Sequence, residues 1–124
     1  MSEADHHTEP RRAVVVPAVT SSPSTDREIC ETLLENSPVR IERIISTGQQ
    51  SPPDFWYDQD WDEWVTVISG TAVLTVQHND DRCETHSLGP GDSVYLPAHV
   101  RHRVERTDRD PPTIWLAVHI KNGT

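Results

Sequence analysis

A carboxylate and an imidazole, each set at a fixed distance from a turn glycine, are the residues of this chain best suited to chemistry. Glu63 lies seven residues ahead of Gly70, on the alternating run DEWVTVIS that ends in a tight turn. A second block runs from Gly91 to His102, GDSVYLPAHVRH, with a proline six residues after its glycine and a histidine five after the proline. Two hairpins that each aim polar side chains into one barrel are a way to build a metal site. Along the first strand, period two places Glu63, Val65 and Val67 on one face and Trp64, Thr66 and Ile68 on the other. If the first face looks inward, the second meets another layer or a dimer partner.

Positioning such groups needs short strands, and the chain supplies them from residue 39 onward. VRIERIIS, DEWVTVIS, AVLTVQ, CETHS, SVYLP, HRVERT and TIWLAVHI are rich in β-branched and aromatic residues. Gly, Pro and Asp turns such as Gly70-Thr71, HNDDR and LGPGD separate them. That pattern predicts a sandwich or barrel, and without alternating helices a parallel βαβ sheet is excluded. One helix is expected over residues 25–36, TDREICETLLEN, where Thr25 and Glu28 have capping-box spacing and Asp26 favours the positive end of the dipole. Residues 1–24 read as a disordered or extended arm, with an edge strand in AVVVP (13–17) and a Ser/Thr/Pro linker after it. The domain is expected to span 25–120, leaving 121–124 as a tail.

Composition limits the function classes. With 124 residues there is room for one domain and one core. A net charge of -9, from 20 acidic against 11 basic residues, argues against nucleic acid and anionic membrane as partners. No apolar run approaches a membrane span and no leader pattern opens the chain, so the expected address is the cytoplasm. Cys30 and Cys83 fit reduced thiols better than a disulfide framework. Lys121 is the only lysine, which leaves almost no candidate for a Schiff base.

The two blocks resemble the paired motifs of the cupin superfamily. What the resemblance implies is an all-β, cupin-type double-stranded β-helix, a jelly-roll barrel, here with the one short helix ahead of it. The usual first motif is His-x-His, three or four residues, Glu, six residues, Gly. Glu63 and Gly70 fall into place, and counting back puts Tyr57 and Gln59 where two histidines would stand; both share the face of Glu63 by period two. His102 takes the ligand position of the second motif. The implied metal set is therefore Tyr57, Gln59, Glu63 and His102. One nitrogen and three oxygens suit Zn2+, with Mn2+, Fe2+ and Ni2+ as alternatives, and make a redox iron site less natural than three histidines would. Equally, these polar groups would line a ligand pocket without metal, and Tyr57 is either a ligand or a substrate contact.

Other residues fill supporting roles. Glu63 and Tyr57 are the candidate catalytic groups. Among Arg40, Arg43, Arg101 and Arg103, one turned inward would clamp a substrate carboxylate, and Arg43 is assigned to that role. Asp58, Asp60 and Asp62 read as a solvated acidic loop, His99 as a turn cap or second nitrogen, and His119 as a satisfied or exposed histidine. Trp56 is placed beside Tyr57 at the pocket mouth.

The run FWYDQ, DEWV, Gly70, PGD, PAHVRHRV and TIWLAVH is similar to a group of small bacterial cupins, over about residues 39–120. One branch, the zinc-binding cupin domains of bacterial hydrazine synthetases, implies rearrangement of a hydroxylamine ester of an amino acid, forming an N–N bond. It also implies an amino-acid-activating, synthetase-like domain or protein as partner. The competing readings are another metal-dependent cupin enzyme (isomerase, lyase or dioxygenase), a small-molecule sensor without turnover and a structural dimerisation module. A small-molecule substrate and a homodimer, paired through Trp64 and Ile68, are the expected partners.

Overall fold

The computed structural model describes residues 13–17, 27–78 and 80–121. Eight strands make up the domain: β1 Ile29–Asn36, β2 Val39–Ser46, β3 Asp62–Ser69, β4 Ala72–Gln77, β5 Cys83–Leu88, β6 Ser93–Leu96, β7 Arg101–Thr107 and β8 Thr113–Ile120. All pairings are antiparallel, in a five-stranded sheet ordered β1-β2-β8-β3-β6 and a three-stranded sheet ordered β5-β4-β7. The expected all-β barrel is therefore present, closed by two sheets facing one another.

Alternation decides which residues face inward. Glu63, Val65 and Val67 of β3 are buried, whereas Trp64 and Ile68 are 48% and 53% exposed. Trp115, Ala117 and His119 of β8 are likewise buried. The core joins Val65, Val67, Trp115, Ala117 and Leu96 of one sheet to Ala72, Leu74, Val76 and Leu88 of the other. Each valine or leucine among them contributes roughly 1.5–3 kcal/mol on leaving water. Gly70 makes the β3–β4 turn at φ +78, where a Cβ would sit 2.7 Å from the Pro112 carbonyl oxygen and 2.8 Å from Thr113 Cα. Only glycine fits both the conformation and the space.

The helix expected over 25–36 is replaced by a strand. Residues 25 and 26 lie outside the described residues, but Ile29–Asn36 pairs with β2, Ile29 opposite Ile45 and Asn36 opposite Val39. Ile29, Glu31 and Leu33 are half-buried while Cys30, Thr32 and Leu34 are exposed, which is period two. A helix this short is marginal in water, whereas the edge of β2 offers a ladder of backbone partners. The edge strand expected at 13–17 is also absent. Val14 and Val15 are 80% and 88% exposed, and Val16 lines an outer groove with Leu33, Ile68, Ile114 and Leu116. The polar tail at 1–12, the linker at 18–24 and most of the 121–124 tail fall outside the described residues. No helix among the described residues is long and apolar enough to cross a membrane.

Candidate active site

Inside the barrel lies a cavity of about 170 Å³. An apolar void of roughly 150 Å³ admits a benzene-sized guest, so this one has room for a small molecule. Its wall includes Tyr57, Gln59, Glu63 and His102. Glu63 comes from β3 of the larger sheet and His102 from β7 of the smaller, so the two hairpin residues reach one space from opposite walls.

Their hydrogen bonds define what each can do. Glu63 is 6% exposed, and its Oε1 is buried with no hydrogen-bond partner in the protein. Burial, with a lesser push from Glu42 and opposed by Arg40, raises its carboxyl from 4.5 to about 7. His102 is also 6% exposed. Its Nδ1 lies 3.3 Å from the Val100 carbonyl oxygen. A carbonyl only accepts, so Nδ1 carries the proton and Nε2 keeps its lone pair. Burial lowers the imidazole pKa and favours this neutral ring.

Tyr57 is tied to His102 twice. Their backbones exchange hydrogen bonds of 2.7 and 3.1 Å, and their rings stack at 5.3 Å with an interplanar angle of 21°. Burial, then Glu28, Cys30 and Glu63, raise the phenol pKa, so Tyr57 keeps its proton at neutral pH. It is thereby a better hydrogen-bond donor than an anionic ligand. Gln59 is held by its carbonyl, which accepts from the His99 amide at 2.7 Å.

Arg43 does not join these residues. It pairs with Glu31 at 3.2 Å and lines the outer groove, because Glu42 and Ile44 take the inward positions of β2. Arg101 and Arg103 also point outward, with guanidinium carbons 5.3 and 5.9 Å from the Trp56 ring centroid. Trp56 therefore packs on these arginines rather than at the pocket mouth. Arg103 further donates to the carbonyls of Ser51, Pro52 and Phe55, pinning the segment that delivers Tyr57. The acidic run is structural as well as solvated. Asp62 accepts from the Ala98 amide and the Tyr95 hydroxyl, and Asp58 pairs with His99 at 2.9 Å, so both tie the first block to the second.

Four lining residues escaped the sequence reading: Glu28, Cys30, Glu42 and the pocket role of His119. Trp61 Nε1 donates to His119 Nδ1 at 2.8 Å, and His119 Nε2 lies 3.0 Å from Glu42 Oε1. An indole nitrogen only donates, so the His119 proton sits on Nε2 and goes to Glu42. Both ring nitrogens are committed. The parity of TIWLAVHI could place His119 inward, but nothing local announces Glu42.

Residues 42–119 match the cupin domain family. The chain belongs to the cupin family. A crystal structure from Ralstonia eutropha JMP134, provisionally described as a mannose-6-phosphate isomerase, is 44% identical to this cupin. It superposes with a TM-score of 0.74 over 86% of this chain and 100% of that one. An L-ectoine synthase of Rhodococcus jostii (strain RHA1) is 29% identical over 130 residues, covering 89% of this chain and 93% of its own. The beta-conglycinin alpha' subunit of Glycine max is 37% identical over 51 residues, 41% of this chain, and this cupin spans 8% of that relative's length. Proteins named as enzymes thus stand among the relatives of this cupin.

Many cupins hold a divalent cation, and the donor chemistry here suits one in part. The orphaned Glu63 Oε1 and the free Nε2 of His102 are two strong donors on one cavity. Among the described residues no group of three or more His, Cys, Asp or Glu side chains gathers as a metal centre. Gln59 and Tyr57 would have to complete the shell with weaker oxygen donors, where catalytic zinc usually has three strong protein ligands.

Proposed function

We propose that this cupin is a small-molecule enzyme whose chemistry takes place between Glu63 and His102. The observation that carries the reading is the buried, unpartnered Oε1 of Glu63 on a cavity it shares with the His102 imidazole. A buried acceptor without a partner costs about 1–3 kcal/mol, a cost that a bound cation or ligand donor removes. Glu63, His102 and Gln59, with Tyr57 at the margin, would hold Zn2+, or Mn2+, Fe2+ or Ni2+ in its place. Such an ion would supply Lewis-acid polarisation of a substrate oxygen.

The chain's own groups would do the rest. Tyr57, protonated and stacked on His102, donates a hydrogen bond to a substrate heteroatom. Glu63, titrating near neutrality when no cation is present, can exchange a proton at the pH where the protein works. Apolar walls from both sheets limit the water that competes. A narrower reading, zinc-dependent rearrangement of a hydroxylamine ester with N–N bond formation, is supported by the motif resemblance alone. The same resemblance supports an amino-acid-activating partner. A second copy of the chain would pair through the outer sheet face, where Trp64, Ile68 and Tyr95 are exposed; Trp64→Glu should then halve the mass seen by light scattering.

The test is metal loading of untagged protein, followed by calorimetric titration of zinc into the chelator-treated chain. Binding that is lost in both Glu63→Gln and His102→Ala supports the reading. Ligand binding without turnover that survives Glu63→Ala would make the barrel a sensor instead.

A further inference from the structure

We propose that the molecule this cavity takes is a protonated amine, its cationic nitrogen read by Glu28 and Glu42 and its small apolar body by the barrel wall. The inference rests on the reading of the cavity as a ligand site and names the class of ligand. Three carboxylates line the cavity, those of Glu28, Glu42 and Glu63, and among the described residues no lysine or arginine does. They follow the strand order of the larger sheet. Glu28 precedes β1, Glu42 is on β2, His119 on β8 and Glu63 on β3, opposite His119 in register.

His119 adds no positive charge, because its Nδ1 accepts the Trp61 N–H and only Nε2 is protonated. Arg40 offsets part of the Glu42 charge, with Nε 3.5 Å from Oε2, but its guanidinium lies against Trp61 and outside the cavity wall. Glu28, an exposed residue of the cavity lining, is oriented by the Ser46 hydroxyl, which donates to Oε2 at 2.8 Å. The independent sign that a ligand belongs here is Glu63 Oε1, buried without a partner on the same cavity.

A phosphate or carboxylate guest would meet three acidic groups and no side-chain cation. An ion held by Glu63 and His102 would offset part of that charge and would leave the carboxylates of Glu28 and Glu42 in the wall. Glu42 stands two strands from Glu63, roughly 10 Å at about 4.8 Å per strand. Ile44, Val65, Leu74, Leu96, Val104 and Trp115 form the apolar part of the wall, which accepts a hydrocarbon body beside the polar groups of Tyr57, Gln59 and His102. A charged amine on a small aliphatic or aromatic frame fits both halves.

Three probes on one ring decide the matter: cyclohexylamine, cyclohexanol and cyclohexanecarboxylate. Each is titrated calorimetrically into the full chain at neutral pH, once zinc-loaded and once chelator-treated. The amine should bind at least about tenfold more tightly than the alcohol (~1.4 kcal/mol), with the carboxylate weakest. Glu28→Gln and Glu42→Gln should each shrink the gap between amine and alcohol. Equal binding of the three, preference for the carboxylate, or no saturable amine binding at millimolar concentration overturns the proposal. Zinc content of the same samples separates the two readings. Zinc bound at Glu63 and His102 without amine preference leaves the metal site standing and removes only this inference.

Discussion

His102 and His119 line one cavity from opposite sheets, and their hydrogen bonds give them opposite capacities. His102 gives its Nδ1 proton to a backbone carbonyl and keeps Nε2 free, the arrangement of a metal-binding or proton-accepting histidine. His119 has an indole on one nitrogen and a carboxylate on the other, so it has nothing left to offer a ligand. Burial pushes both pKa values down. The lesson is that burial and cavity position do not identify a working histidine; the uncommitted nitrogen does.

The contrast is broken or upheld most forcefully by exchanging the two residues for alanine. His102→Ala should weaken zinc binding by more than the ~10–100-fold lost when a group that only orients a ligand is removed, while His119→Ala should stay within that range. Equal losses, measured by competition with a chromophoric chelator, would erase the distinction.

The carboxylate that faces His102 gives the next effect. The folded pKa of Glu63, about 7, stands above its ordinary 4.5. Folded protein therefore holds a proton that the unfolded chain has released between those values. With chelator present, stability should fall as pH rises through that window, by roughly 3 kcal/mol in all, and level off above it. Glu63→Gln should flatten the profile in chemical denaturation. Zinc affinity should rise over the same window, since the ion displaces the proton.

His119 should show itself in stability instead. Its alanine variant leaves the Trp61 N–H and the Glu42 carboxylate without their partner, at a cost of about 1–3 kcal/mol. Trp61→Phe removes only the indole donor and should cost about 1 kcal/mol. It also frees Nδ1 while Glu42 still takes the Nε2 proton, so imidazole nitrogen NMR should keep one tautomer with only the Nδ1 resonance shifted.

What the sequence disclosed divides along the same line as the two histidines. The run VRIERIIS is β2, DEWVTVIS is β3 and TIWLAVHI is β8, because alternation and turn residues are local signals. Glu63 and His102 were legible as lining residues because each sits on a strand beside a turn marked by local residues, Gly70 and Pro97. Glu42 was not, because its partner His119 is 77 residues away and the two meet only through the β2–β8 pairing. The first strand was misread for a related reason. Ile29, Cys30, Leu33 and Leu34 suit a helix face nearly as well as a strand, and the ladder that decides belongs to residues 39–45. Arg43 lies between Glu42 and Ile44, so a single step of parity takes it out of the cavity.

Zinc stoichiometry of untagged wild-type protein, Glu63→Gln and His102→Ala, taken side by side by elemental analysis, decides whether one cation sits between the two sheets. About one ion per wild-type chain and far less in either variant is expected. Wild-type protein that stays metal-free after incubation with zinc, or variants that load as well as it does, would contradict that expectation.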